Sequence, residues 1–170
     1  MTEFERLVEV IRELRSDHGC PWDKEQTHTS LKRYCIEEAA EVVAGINIYD
    51  KTGNPDNMRE ELGDLLLQIV LQAQIAEEEG LFNVDDVIRG IADKMVRRHP
   101  HVFTDMKLET MEEIHQTWDE IKQQEKAGHE WMDEYLPEAF AESTEMIELA
   151  RIRKAEKKKL REANGIADKP

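Results

Sequence analysis

Between Glu61 and Ile75 the chain runs E-L-G-D-L-L-L-Q-I-V-L-Q-A-Q-I, too long for one strand and apolar on more than one side. At about 100° per residue, Leu62, Leu65, Leu66, Ile69 and Ala73 cover one side of a helix, while Leu67 and Leu71 cover much of the other. A helix apolar on two sides must be packed from both, which places it inside a helical bundle and leaves more apolar surface than one small bundle buries. Glu61, Asp64 and Gln68 fall in the wedge between the stripes, where a neighbouring helix is expected to bury them.

Helical periodicity extends to the other segments. Phe4, Leu7, Val10, Ile11 and Leu14 mark a first helix, stopped by His18-Gly19-Cys20-Pro21. After an irregular stretch to Thr29, a second helix carries Leu31, Tyr34, Ala39, Val42, Val43 and Ile46 until Thr52-Gly53-Asn54-Pro55 breaks it. Asn54 caps the long third helix with Pro55 at its first position, and Gly80 stops it. Asn83 caps a fourth, which ends near Pro100, and Thr110 with Glu113 forms a capping box for a fifth, with Gly128 beyond. No strand pattern appears. The fold class is therefore all-α, an antiparallel helical bundle with one core, spanning residues 1–128 and followed by a charged helical tail, 129–170, that is either solvated, frayed or a partner contact.

Charge narrows the partners. The formal net charge of −15 repels phosphate backbones and anionic lipid, so neither a nucleic acid polymer nor a membrane is expected as a partner. A free nucleotide differs, because bound divalent cations reverse the local charge of an acidic pocket. Two cysteines, Cys20 and Cys35, do not make a disulfide framework, Met1 to Leu14 has no apolar leader, and no stretch is long enough to span a bilayer. A cytoplasmic setting is expected.

The second helix contains Glu37-Glu38-Ala39-Ala40-Glu41 and the third Glu61-Leu62-Gly63-Asp64. Residues three or four apart share a helix face, so each helix presents two carboxylates to one place. Either motif alone reads as solvated charge. Both together, on otherwise apolar neighbouring helices with few cations in the third, point to a bound cation, because desolvated like charges need one. An oxygen-only donor set favours Mg²⁺, with Mn²⁺ as the alternative. Di-iron chemistry is disfavoured, since it needs Glu-x-x-His on two helices and neither acidic motif contains a His.

Lys94, Arg97 and Arg98 form a compact positive face at the end of the fourth helix, suited to phosphate or simply to the helix dipole. Trp22 stands in a polar loop where it either stacks on a base, with Asp23 or Gln26 reading polar edges, or plugs the bundle end. Trp118 lies on the apolar stripe of the fifth helix, with Lys122 one turn on.

Taken in order from about Val10 to Lys126, CPWDKEQTH, EEAAE, ELGDLLLQIVLQAQIAEEEG, KMVRRHPHVF and TWDEIKQQEK resemble the MazG family of nucleotide pyrophosphohydrolases. The resemblance implies that Glu38, Glu41, Glu61 and Asp64 bind Mg²⁺ and that the bundle works as a homodimer or higher assembly. It implies hydrolysis of nucleoside triphosphates to monophosphate and pyrophosphate as nucleotide house-cleaning, with Glu37, Glu38 or Glu41 as catalytic carboxylates. Trp22, Gln26, Lys94, Arg97, Arg98, Trp118 and Lys122 are the expected substrate-binding residues. Many members carry two such modules in tandem and this chain has one, so a nucleotide-binding regulatory module with little hydrolysis is the alternative.

Overall fold

The computed structural model describes residues 1–164, and the last part of the expected tail, 165–170, lies outside them. Among the described residues every regular element is helical: α1 (Glu3–Arg15), α2 (Pro21–Lys24), α3 (His28–Thr52), α4 (Asp56–Glu78), α5 (Val84–Arg98), α6 (Pro100–Phe103), α7 (Met111–Lys126), a 3₁₀ segment (Glu130–Tyr135) and α8 (Leu136–Ala163). Among the described residues no helix is long and apolar enough to cross a membrane. The stretch around Trp22, expected to be irregular, contains the short α2 because Pro21 presets its first residue.

Local chemistry sets the helix ends. Thr27 and Ser30 exchange capping hydrogen bonds at the start of α3. Gly53 ends that helix at φ 72°, a conformation that favours glycine. The Asn54 carboxamide oxygen then accepts from the Asp56 N–H at 2.9 Å, opening α4. Asn83 and Asp86 cap α5, and Thr110 and Glu113 cap α7. The buried Arg15 guanidinium ties α1 to the α2–α3 corner by donating to the carbonyls of Asp23 (2.5 Å) and Gln26 (3.2 Å).

The described residues group into two compact units, one of Met1–Ile75 with 138–164, the other Ala76–Pro137. In the first, α3 and α4 are the legs of an antiparallel hairpin. Gly45 meets Met58 near its turn, and His28 pairs with Gln72 at its open end, where the Gln72 amide donates to the His28 carbonyl at 3.2 Å. Ile11, Leu31, Val70, Leu71, Ala73, Ile75 and Ala150 make its core. The described part of the tail is the helix α8, joined to α3 through Lys32–Glu142 (3.0 Å), Arg153–Glu37 and Lys154–Glu41.

The second unit packs α5, α6 and α7. Trp118 stands edge-on to His99 with centroids 4.9 Å apart, and Arg98 lies 5.2 Å from the Trp118 ring centre. Arg97 and Arg98 both chelate Glu125, at 2.7 and 2.6 Å.

Candidate functional site

The hairpin register decides where the acidic motifs meet. With Gly45 against Met58 and His28 against Gln72, residues between them pair in reverse order. Glu38 thus falls opposite Asp64, and Glu41 opposite Glu61. One carboxylate oxygen each from Glu38, Glu61 and Asp64 lies within 4.8 Å of the others. The Asn57 amide, one turn before Glu61, donates to its carboxylate at 2.8 Å and fixes its direction. Glu38 is half-buried, whereas Asp64 is open to solvent rather than buried in the wedge as expected, because α4 is exposed there, its neighbours Leu62 and Gly63 being open as well. Gln68 does become buried, and its amide oxygen has no hydrogen-bond partner.

Glu41 stands apart from the tight trio. It is held by Lys154 of α8, as Glu37 is by Arg153. Burial pushes the Glu38 carboxyl above its ordinary range, and the charges of Glu41, Asp64 and Glu61 push it further, with Lys154 opposing. Three oxygens that repel one another this closely, with an orphaned amide oxygen one turn on, fit a hard divalent cation.

Beside the carboxylates opens a cavity of about 440 Å³, within the range of small-ligand sites. Its acidic wall is Glu37, Glu41 and Glu61, its floor includes Ala40 and Ala44, and α8 supplies Ile147, Ala150, Arg151 and Lys154.

The remaining expected site residues lie elsewhere. Gln26 serves the α2–α3 corner, donating to the Trp22 carbonyl and accepting from the Ser30 hydroxyl, both at 2.8 Å. Trp22 is half-exposed, edge-on to Tyr34 at 6.1 Å. Neither lines the acidic cavity. Lys94, Arg97, Arg98 and Lys122 are brought together in the second unit, lining a cavity of about 460 Å³ with Glu125, Lys126 and His129. Sequence reasoning missed Asn57, whose i, i+4 spacing to Glu61 was a signal. It also missed Glu125 and the α8 cations, for which no local pattern exists.

A model of the MazG nucleotide pyrophosphohydrolase domain matches residues 26–103, which contain all four paired carboxylates. The chain is 54% identical over 124 residues to the uncharacterized protein YabN of Bacillus subtilis, covering 73% of this chain and 24% of that protein. It is 50% identical over 123 residues to the nucleoside triphosphate pyrophosphohydrolase/pyrophosphatase MazG of Thermotoga maritima, covering 72% and 45%. With the Escherichia coli K12 nucleoside triphosphate pyrophosphohydrolase it shares 44% over 138 residues, covering 79% and 51%. The chain thus spans between about a quarter and a half of the length of these relatives. The crystal structure of a mazG-related protein from Thermotoga maritima superposes with a TM-score of 0.57 at 30% identity, covering 70% of this chain and 98% of that one. Opposed carboxylate pairs on an α-helical hairpin, a domain match across that hairpin and a solved relative covered almost end to end place this chain in the MazG family.

Proposed function

We propose that the chain hydrolyses nucleoside triphosphates to nucleoside monophosphate and pyrophosphate, with Mg²⁺ or Mn²⁺ held by Glu38, Glu41, Glu61 and Asp64. The observation that carries this reading is the trio Glu38, Glu61 and Asp64 converging within 4.8 Å beside a cavity of nucleotide-binding size. A divalent cation there supplies Lewis-acid polarisation of phosphate oxygens and a lowered pKa for water. The chain's own groups do the rest. Glu37 lines the cavity and pairs with Arg153, and it is proposed to accept a proton from attacking water, with Glu38 and Glu41 sharing that role in the catalytic set. Apolar Ala40, Ala44, Ile147 and Ala150 limit the water around the reacting group.

In the second unit, Lys94, Arg97, Arg98 and Lys122 are proposed as phosphate contacts, with Trp118 positioning Arg98. Trp22 and Gln26 remain proposed substrate contacts on the strength of the motif resemblance. House-cleaning of the nucleotide pool in the cytoplasm, by a homodimer or higher assembly, is the proposed setting; the exposed Leu62, Leu66 and Ile69 on one face of α4 support self-association.

The test is a nucleotide panel with Mg²⁺ in which monophosphate and pyrophosphate are both quantified. Stoichiometric release of the two is expected. The alternative reading is a nucleotide-binding regulatory module with little or no hydrolysis. Nucleotide binding without pyrophosphate release would decide for it.

A further inference from the structure

We propose that Lys154 of α8 is a substrate-binding residue, its ammonium passing from Glu41 to a phosphate oxygen of the nucleotide once a divalent cation occupies the carboxylates. This rests on the hydrolase reading and adds a residue that lies outside the matched segment 26–103.

The cavity beside the carboxylates is acidic on one wall, and its lining cations, Arg151 and Lys154, both come from α8. A triphosphate carries more negative charge than one divalent cation neutralises, so its binding there needs fixed positive charge from the protein as well. Arg151 is committed to Glu148, chelated at 2.7 and 2.8 Å one turn earlier. Arg153 is held by Glu37, whose side chain is only 13% exposed. Lys154 differs from both. Its partner Glu41 is itself a proposed metal ligand, and its own side chain is 53% exposed.

A cation on Glu41 changes that ion pair. It withdraws the charge that attracts the ammonium and adds a like charge beside it, so the pair weakens. The ammonium is a point charge with three donors on a flexible four-carbon stem, able to turn without moving the helix. The anion entering the same cavity is the substrate. Lys154 thus shields the carboxylates before the cation binds and contacts phosphate afterwards.

The full chain is tested as Lys154→Met, Lys154→Arg and, as a control on the far side of α8, Lys159→Met. KM and kcat are measured for the best substrate of the panel at saturating Mg²⁺, and Mn²⁺ affinity is measured by calorimetry without nucleotide. Lys154→Met should raise KM at least tenfold with kcat within about threefold, the pattern of a lost contact to bound substrate. The same variant should bind Mn²⁺ alone more tightly, since a competitor for Glu41 is gone. Lys154→Arg should recover most of the affinity, and Lys159→Met should match the parent. A KM within twofold of the parent in Lys154→Met overturns the proposal, and reduces Lys154 to a shield if Mn²⁺ still binds more tightly. An equal rise in KM in Lys159→Met also overturns it. Lys154→Gln replaces the methionine variant if melting shows a disturbed fold. Where the parent releases no pyrophosphate, the hydrolase reading falls and Lys154 is judged on Mg²⁺-nucleotide binding by calorimetry. A tenfold loss there supports it, unchanged affinity overturns it, and no nucleotide binding by the parent overturns both.

Discussion

Gly45 on α3 and Met58 on α4 approach so closely that a β-carbon on Gly45 would stand 2.7 Å from the Met58 Cα. The obstacle is backbone, so the legs of the hairpin must separate to admit any side chain. Gly45→Ala should destabilise the protein by about 1–3 kcal/mol, as overpacking does, and Gly45→Val by more. Because Glu41 sits one turn away, divalent-ion affinity should fall in the same variants. Unchanged denaturant midpoints in both would show that the contact does not set the register.

Glu41→Gln or Asp64→Asn should abolish pyrophosphate release while far-UV circular dichroism keeps its helical signal, since each removes a charged oxygen donor from a multi-carboxylate site. Parental turnover in either would remove that residue from the ligand set.

Glu38 should give an unusual pH dependence in the protein freed of divalent ions. Its folded pKa is raised, by burial first and then by Glu41, Asp64 and Glu61, so the folded state binds the proton more tightly than the unfolded chain. Its contribution to stability is therefore complete below the ordinary carboxylate value of 4.5 and is lost as pH rises through the folded value. Glu38→Gln should flatten that fall in chelator-treated melts and weaken divalent binding. A variant with the parental pH profile would contradict the raised pKa.

The two arginines on Glu125 should separate in their effects. Arg97 is the more exposed and Arg98, 15% exposed, also lies against Trp118. Arg97→Ala should weaken nucleotide turnover tenfold or more with little change in melting temperature. Arg98→Ala should lose turnover and also melt earlier. Preserved kinetics in both would leave this cluster with only a structural role.

Leu62, Leu66 and Ile69 follow an i, i+4, i+7 spacing on α4 and are all exposed. Sedimentation at micromolar concentration should show a dimer or larger assembly, and Leu66→Glu should shift it toward monomer. A parent that sediments as a monomer would contradict self-association.

The sequence revealed the long helices and some of their caps, because capping depends on residues three apart, although the Thr2–Glu5 and Thr27–Ser30 boxes went unread. Thr110 with Glu113 and Asn83 before α5 were readable for that reason. The two acidic pairs were readable from i, i+3 spacing, but their opposition across the hairpin depends on Gly45 admitting Met58, a contact invisible in either helix alone. Asp64 was misplaced because helical angles say which residues share a face and not whether anything covers it. Lys154 and Arg153 were hidden in a Lys/Glu-rich run whose neighbours carry no hint of the distant glutamates that hold them.

The carboxylates occupy adjoining stretches of two helices joined by the short link of Gly53, Asn54 and Pro55. Closing so short a loop costs little chain entropy, and the contacts it brings are local in sequence. Forming the hairpin and assembling the carboxylate set are therefore one event, and the repulsion among the acidic groups is an energetic load carried by the hairpin itself whenever no cation is bound. Substitutions that relieve this load are the ones that empty the site of its donors, so along this hairpin selection for robustness and selection for cation binding pull in opposite directions.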